Sequence, residues 1–140
     1  MFENKYTREN LAAVLRSHAI NPTHQRIEIA HAIFSRGEPL SADQLLALVN
    51  DRASETSKAT VYNTLNLFVE KKLIREVIVD PSKVFYDPNT TPHHHFYNVD
   101  TGALTDIDAR DIRVTGLPAL PQGMATEGVD IIVRVRSSAA

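Results

Sequence analysis

Three consecutive histidines, His93, His94 and His95, lie between two aspartates, Asp87 upstream and Asp106 downstream. If His93-His94-His95-Phe96-Tyr97 is extended, side chains alternate in direction, so His93 and His95 point to one side of the strand and His94 to the other. Asp87 and Asp106 can close on the same pocket. Imidazole with carboxylate suits manganese, ferrous iron or zinc, and imidazole also serves as an axial ligand for haem. One histidine in such a place is most simply a polar strand edge. Three in a row, none near a terminus, favour a ligand role.

What surrounds these residues limits the chemistry. The 140-residue chain has no cysteine, which excludes disulfides, thiolate zinc sites, iron–sulfur clusters and thiol catalysis within it. Any metal must be held by nitrogen and oxygen. The net charge is −2, with 11 basic and 11 acidic residues before Asn89 and 4 and 6 after it. A generic nucleic-acid binder is more basic, so DNA contact requires a local patch. The first residues lack the apolar core of a secretion signal and no run is long enough to span a bilayer, so a cytoplasmic protein without membrane contact is expected. At this length the chain is one compact domain or two small ones, and two half-size modules each lean on a partner subunit.

The elements that position the histidines can be read in order. Leu11, Val14, Leu15 and His18 have helical spacing, predicting a first helix over Thr7 to His18. Asn21-Pro22 predicts the start of a second, running from about Pro22 to Arg36 and stopping at Gly37. Ser41-Ala42-Asp43-Gln44 is a capping box, with Leu40 able to staple onto Leu45, for a third helix reaching about Ala53. After the polar break Ser54-Glu55-Thr56, Ser57 caps a fourth whose Val61, Leu65, Phe68 and Val69 form an apolar face. Lys58, Tyr62, Asn63, Asn66 and Glu70 lie opposite. The third and fourth helices fit a helix-turn-helix pair; on periodicity alone, a plain amphipathic helix with a solvated face fits equally well. Ile74–Val79, Asp80-Pro81-Ser82 and Lys83–Tyr86 read as strand, turn and strand, the wing of a winged helix, with Lys83 able to lie along a phosphate backbone. Beyond the histidines, Thr101-Gly102 reads as a turn, Leu104 to Ile107 as a strand, Ala109 to Val114 as a short helix capped by Asp108, and Val129 to Arg136 as a final strand. Its stripe Val129, Ile131, Val133 and Val135 needs cover, most simply from a second copy of the chain.

Pro22-Thr23-His24-Gln25-Arg26, Leu40-Ser41-Ala42-Asp43, Ala59-Thr60-Val61-Tyr62-Asn63-Thr64-Leu65 and His93-His94-His95-Phe96 resemble, in order and spacing, the signatures of the ferric uptake regulator family. The resemblance implies an α+β protein, with a winged helix-turn-helix DNA-binding domain over residues 1–88 and a small α/β domain over 89–140 for dimerisation and metal or haem sensing. It implies a dimeric transcription factor, not an enzyme, acting as a repressor or activator of iron and haem genes on AT-rich promoter DNA. Tyr62 matches the family's thymine-contacting tyrosine, and Asn63 stands where many members have arginine. The candidate DNA-contacting set is Lys58, Thr60, Tyr62, Asn63, Arg26 and Lys83. The family's regulatory metal ligands fall on Asp87, His93, His95 and Asp106, while the fifth falls on Pro39, which cannot coordinate. Asn98 and Thr101 hold the places of the cysteines that carry structural zinc in other members. Within the family the chain is most similar to the iron-response regulators, on Asp87 with the histidine run, Leu117-Pro118, Pro121-Gly123-Met124 and the Val129–Arg136 ending. That branch senses haem, for which His93, His94 and His95 are the alternative ligands and a haem-delivering protein an expected partner.

Two other readings have specific weaknesses. A cupin-like metalloenzyme would use His93, His95 and Asp100, but no later histidine completes the set and the first half of the chain is helical. A metal or haem carrier without DNA binding leaves Tyr62, Lys58 and the wing without a role. Nothing supports a Ser-His-Asp arrangement.

Overall fold

The computed structural model describes residues 6–53 and 56–138. Residues 54 and 55 of the expected polar break lie outside the described residues. The chain divides into two compact units, Met1–Thr90 and Thr91–Ala140.

The first unit contains α1 (Arg8–Ser17), α2 (His24–Arg36), α3 (Ala42–Ala53), α4 (Lys58–Glu70), β1 (Arg75–Asp80) and β2 (Lys83–Asp87). Each helix begins where a hydroxyl side chain satisfies an amide that the first turn leaves without a partner. Thr7 accepts from the Asn10 amide, Thr23 from Arg26, Ser41 from Gln44 and Ser57 from Thr60. The Gln44 carboxamide accepts in return from the Ser41 amide, completing the expected capping box. The second helix starts later than expected from Asn21-Pro22, because Thr23 is the cap. Asn21 instead gives its carbonyl to the Thr23 amide and the Arg26 guanidinium, which keeps Pro22 in the preceding turn. Gly37 ends α2 in the left-handed region, at φ 64°, where a side chain would be strained.

Leu11 and Leu15 of α1, Ile29 and Ile33 of α2, Leu45 of α3, and Val61, Leu65 and Phe68 of α4 are fully buried in one cluster. α3 packs on α4. The approach to α4 is fixed by Asn50, whose carboxamide donates to the Thr56 carbonyl and accepts from the Thr56 amide, both at 3.1 Å. β1 and β2 pair antiparallel from Arg75–Asp87 to Asp80–Lys83. The Asp80 carboxylate accepts from both the amide and the hydroxyl of Ser82, pinning the turn. Leu40 and Tyr86 exchange two backbone hydrogen bonds of 3.0 and 2.7 Å, so the chain entering α3 adds a bridge to the hairpin edge. The four helices and hairpin follow the order expected of a winged helix-turn-helix.

The second unit is built on β3 (His93–Asn98), flanked by antiparallel β4 (Leu104–Asp108) and parallel β5 (Ile132–Val135). The expected turn at Thr101-Gly102 is present. Asn98 accepts from the Asp100 and Thr101 amides through its side chain and from the Gly102 amide through its carbonyl. Two expectations need correction. The helix over Ala109 to Val114 is a single 3-10 turn, Ala109–Asp111, capped by Asp108; β-branched Ile112 and Val114, then Gly116 and Pro118, give it nothing to propagate on. The last strand starts at Ile132 rather than Val129. The Ile131 amide donates to His94 Nδ1 and its carbonyl accepts from the His95 amide, so β5 is docked through an imidazole before its ladder begins.

Candidate metal centre and nucleic-acid interface

The register of β3 against β4 places His93 opposite Asp108 and His95 opposite Asp106, on one face of the sheet. The two imidazole rings are 4.5 Å apart. Nε2 of each ring lies 3.4 Å from the same Asp106 oxygen, Oδ1. These three residues each bring one ligand atom to within 4.8 Å of the others. The expected alternation holds, since His94 faces the opposite side and binds Ile131.

One contact decides the chemistry of this cluster. His93 Nδ1 lies 2.6 Å from the Thr91 carbonyl, which can only accept, so Nδ1 donates. A neutral His93 then turns a bare Nε2 lone pair toward the Asp106 carboxylate. Two electron-rich atoms in that position repel unless a proton or metal cation stands between them. Tetrahedral ligands at about 2.1 Å from an ion are themselves about 3.4 Å apart, which matches both nitrogen–oxygen separations. The backbone carbonyl behind His93 is the outer partner that orients a ligating imidazole. The donor set is nitrogen and carboxylate oxygen without thiolate, suited to manganese, ferrous iron or zinc. Asp87 closes β2 of the first unit with its carboxylate fully buried and accepting from the Asn89 amide.

Beside this cluster, Arg110 grips Asp108 through Nε and Nη2 and through its amide. This holds the Asp108 carboxyl down at about 2 and keeps that carboxylate engaged at the surface.

In the first unit, α4 divides as its periodicity requires. Val61, Leu65 and Phe68 face the core, while Lys58, Tyr62, Asn63, Asn66 and Glu70 are exposed. Lys58 Nζ pairs with Asp43 at 3.4 Å and stands 5.9 Å over the Tyr62 ring. The Thr60 hydroxyl is bonded to Ser57 at 2.9 Å, so it reinforces the cap. Arg26, on α2, is half-buried and committed to the Asn21 carbonyl. Lys83 is paired with Asp80 at 3.6 Å. Tyr62 and Lys83 are brought together, lining a cleft of about 390 Å³ with Ser41, Asp43, Glu76 and Tyr86. Burial pushes the Tyr86 hydroxyl upward, with the Glu76 carboxylate adding to the effect, so Tyr86 stays protonated on the cleft wall.

Sequence reasoning missed the Thr91 carbonyl, Asn50 and Asp43. A backbone acceptor carries no sequence signal. Asn50, a poor helix former near a helix end, was a usable hint, and Asp43 opposite Lys58 follows only from how α3 meets α4.

The family model for the ferric uptake regulator family matches residues 17–133. The peroxide-responsive repressor PerR of Staphylococcus epidermidis is 28% identical over 98 residues, covering 70% of this chain and 65% of that protein; the match therefore spans just under two thirds of the curated relative. The Vibrio cholerae ferric uptake regulator superposes with a TM-score of 0.70 at 16% identity, over 91% of this chain and 99% of that one. A zinc uptake regulator solved with zinc and DNA superposes with a TM-score of 0.60 at 19% identity, over 94% and 93%. Both structural likenesses are of fold. With a family model matched from the end of α1 into β5, the chain belongs to the ferric uptake regulator family.

Proposed function

We propose that this chain is a metal-responsive transcriptional regulator that binds AT-rich promoter DNA as a homodimer. Residues 1–88 serve as the DNA-binding domain, and residues 89–140 as the dimerisation and sensing domain. Asp87, His93, His95 and Asp106 form the regulatory site. The observation that carries this reading is the convergence of two imidazole nitrogens on one Asp106 oxygen, with Thr91 fixing the His93 ring so that its lone pair faces inward. A bound divalent ion would place a positive charge between these nitrogen and oxygen donors. His93, His95 and Asp106 orient three ligand atoms. Asp87, the buried carboxylate that ends β2, is assigned as the fourth, an oxygen donor of the kind this nitrogen and oxygen set takes. Among relatives, PerR is named a repressor and the zinc uptake regulator was solved with zinc and DNA; repression in the presence of metal is the corresponding proposal here.

The absence of cysteine favours the iron-response branch, whose members also lack the structural zinc site. Control by haem is the weaker form of this reading. All three imidazoles are buried, and His94 Nδ1 already accepts from Ile131, so a porphyrin reaches none of them without opening the sheet. A divalent ion needs no such movement.

A mobility shift with an AT-rich promoter fragment tests the proposal. Adding Mn²⁺ or Zn²⁺ should strengthen binding, and His95→Ala should remove the response while leaving residual affinity. Tyr62→Ala should lose a specific contact of roughly 1–3 kcal/mol. Metal-independent binding by the unmodified chain would contradict metal control, and a response to haem alone would replace the ion with haem.

A further inference from the structure

The outer stripe of α4 consists of Ala59, Tyr62, Asn63, Asn66 and Glu70, all exposed. Beyond Lys58 in its first turn the stripe has no cation. Lys58 is paired with Asp43 and Thr60 with Ser57, but the carboxamides of Asn63 and Asn66 have no hydrogen-bond partner among the described residues. They are three residues apart and so share a face one turn from each other. Asparagine is among the poorer helix formers, so two in the exposed middle of a 13-residue helix cost local stability without any return inside the protein.

Outside the protein they have a specific match. A carboxamide presents a donor and an acceptor side by side, complementary to adenine N6 and N7 in the major groove, whereas an arginine at such a position matches guanine O6 and N7. A recognition helix lying in the major groove reads base edges through a few side chains of its outward face. The pair is separated by about 4.5 Å along the helix, against about 3.4 Å per base pair, so the two side chains reach neighbouring base pairs. We propose that Asn63 and Asn66 are specificity-determining residues that read adenines at two base pairs of the bound duplex. The inference rests on the DNA-binding reading above and assigns a base to two particular side chains.

The test is selection from duplexes with a randomised centre. It uses the full chain, with and without added manganese(II), alongside Asn63→Ala, Asn66→Ala and Asn63→Arg. Both asparagines are exposed and unbonded, so the variants should fold, which circular dichroism checks. The unmodified chain should enrich sites with two fixed A·T pairs in each half-site. Each alanine variant should lose preference at one of them, with affinity for the selected site falling roughly 5- to 150-fold and affinity for a scrambled duplex unchanged. Asn63→Arg should convert its position to G·C. Identical base preferences in the unmodified chain and both alanine variants would overturn the proposal while leaving DNA binding intact. If the unmodified chain enriches no duplex, the DNA-binding reading falls, and the base assignment with it.

Discussion

The two units differ in what they bury most. In the first, aliphatic residues and Phe68 fill the interior, and the helix N-termini are capped by Thr7, Thr23, Ser41 and Ser57. In the second, His93, His94 and His95 lie inside with Tyr97, Leu104 and Ile107, while Phe96, Val99, Leu117, Leu120, Met124 and Val133 are exposed. Leu117 and Met124, at 59% and 65% exposure, lie in the long stretch between the 3-10 turn and β5 that has no regular structure. A segment of this length without secondary structure is unusual inside a compact domain. The first unit thus has what the hydrophobic effect needs. The second has buried histidines suited to a cation and exposed apolar side chains suited to another protein surface, as the proposed homodimer requires.

The contrast can be broken most forcefully at the aromatic residues. Phe68→Ala, in the packed core of α4, should cost roughly 3–5 kcal/mol, visible as a lower urea midpoint. Phe96→Ala, on the exposed face of β3, should leave that transition near its original position; an equal loss at both sites would show that the units do not differ in this way. The next effect is on assembly. Val133 stands beside Phe96 in the β3–β5 register, and Val133→Asp should convert a dimer to a folded monomer in sedimentation velocity. An unmodified chain that sediments as a monomer at micromolar concentration would remove the second subunit from the account.

How much of this the sequence showed also differs between the units. Helix caps and apolar periodicity are local, so α1, α3, α4 and the hairpin were legible within a residue or two. The start of α2 came two residues later than expected, because Asn21-Pro22 and Thr23 are both acceptable starts and the Arg26 contact to the Asn21 carbonyl selects the later one. In the second unit the alternation of His93 and His95 was legible because a strand has period two. The early end of the helix after Asp108 and the late start of β5 were not. Both depend on long-range contacts, above all the Ile131–His94 hydrogen bond across 37 residues, which no local pattern encodes.

A smaller effect sharpens the picture of the first unit. Arg8 Nε donates to Glu28 Oε1 at 2.8 Å and Nη2 to Oε2 at 3.1 Å, joining α1 to α2, and this holds the Glu28 carboxyl below its ordinary value of 4.5. The native value is depressed, so the stabilisation is present above about 4.5 and is lost as pH falls through the lower native value. Arg8 is about half exposed and Glu28 partly buried, and Glu28→Gln should cost about 1 kcal/mol or less at neutral pH. That difference should disappear in acid denaturation series.

His93, His95 and Asp106 of the second unit are proposed to hold a cation. Titration of the purified chain with manganese(II), followed by the loss of the free-ion electron paramagnetic resonance signal, tests it directly. One ion per chain should bind to the unmodified protein, and none at that site in a His93→Ala, His95→Ala double variant. Uptake unchanged in the double variant, or no uptake of manganese or competing zinc by the unmodified chain, would contradict it.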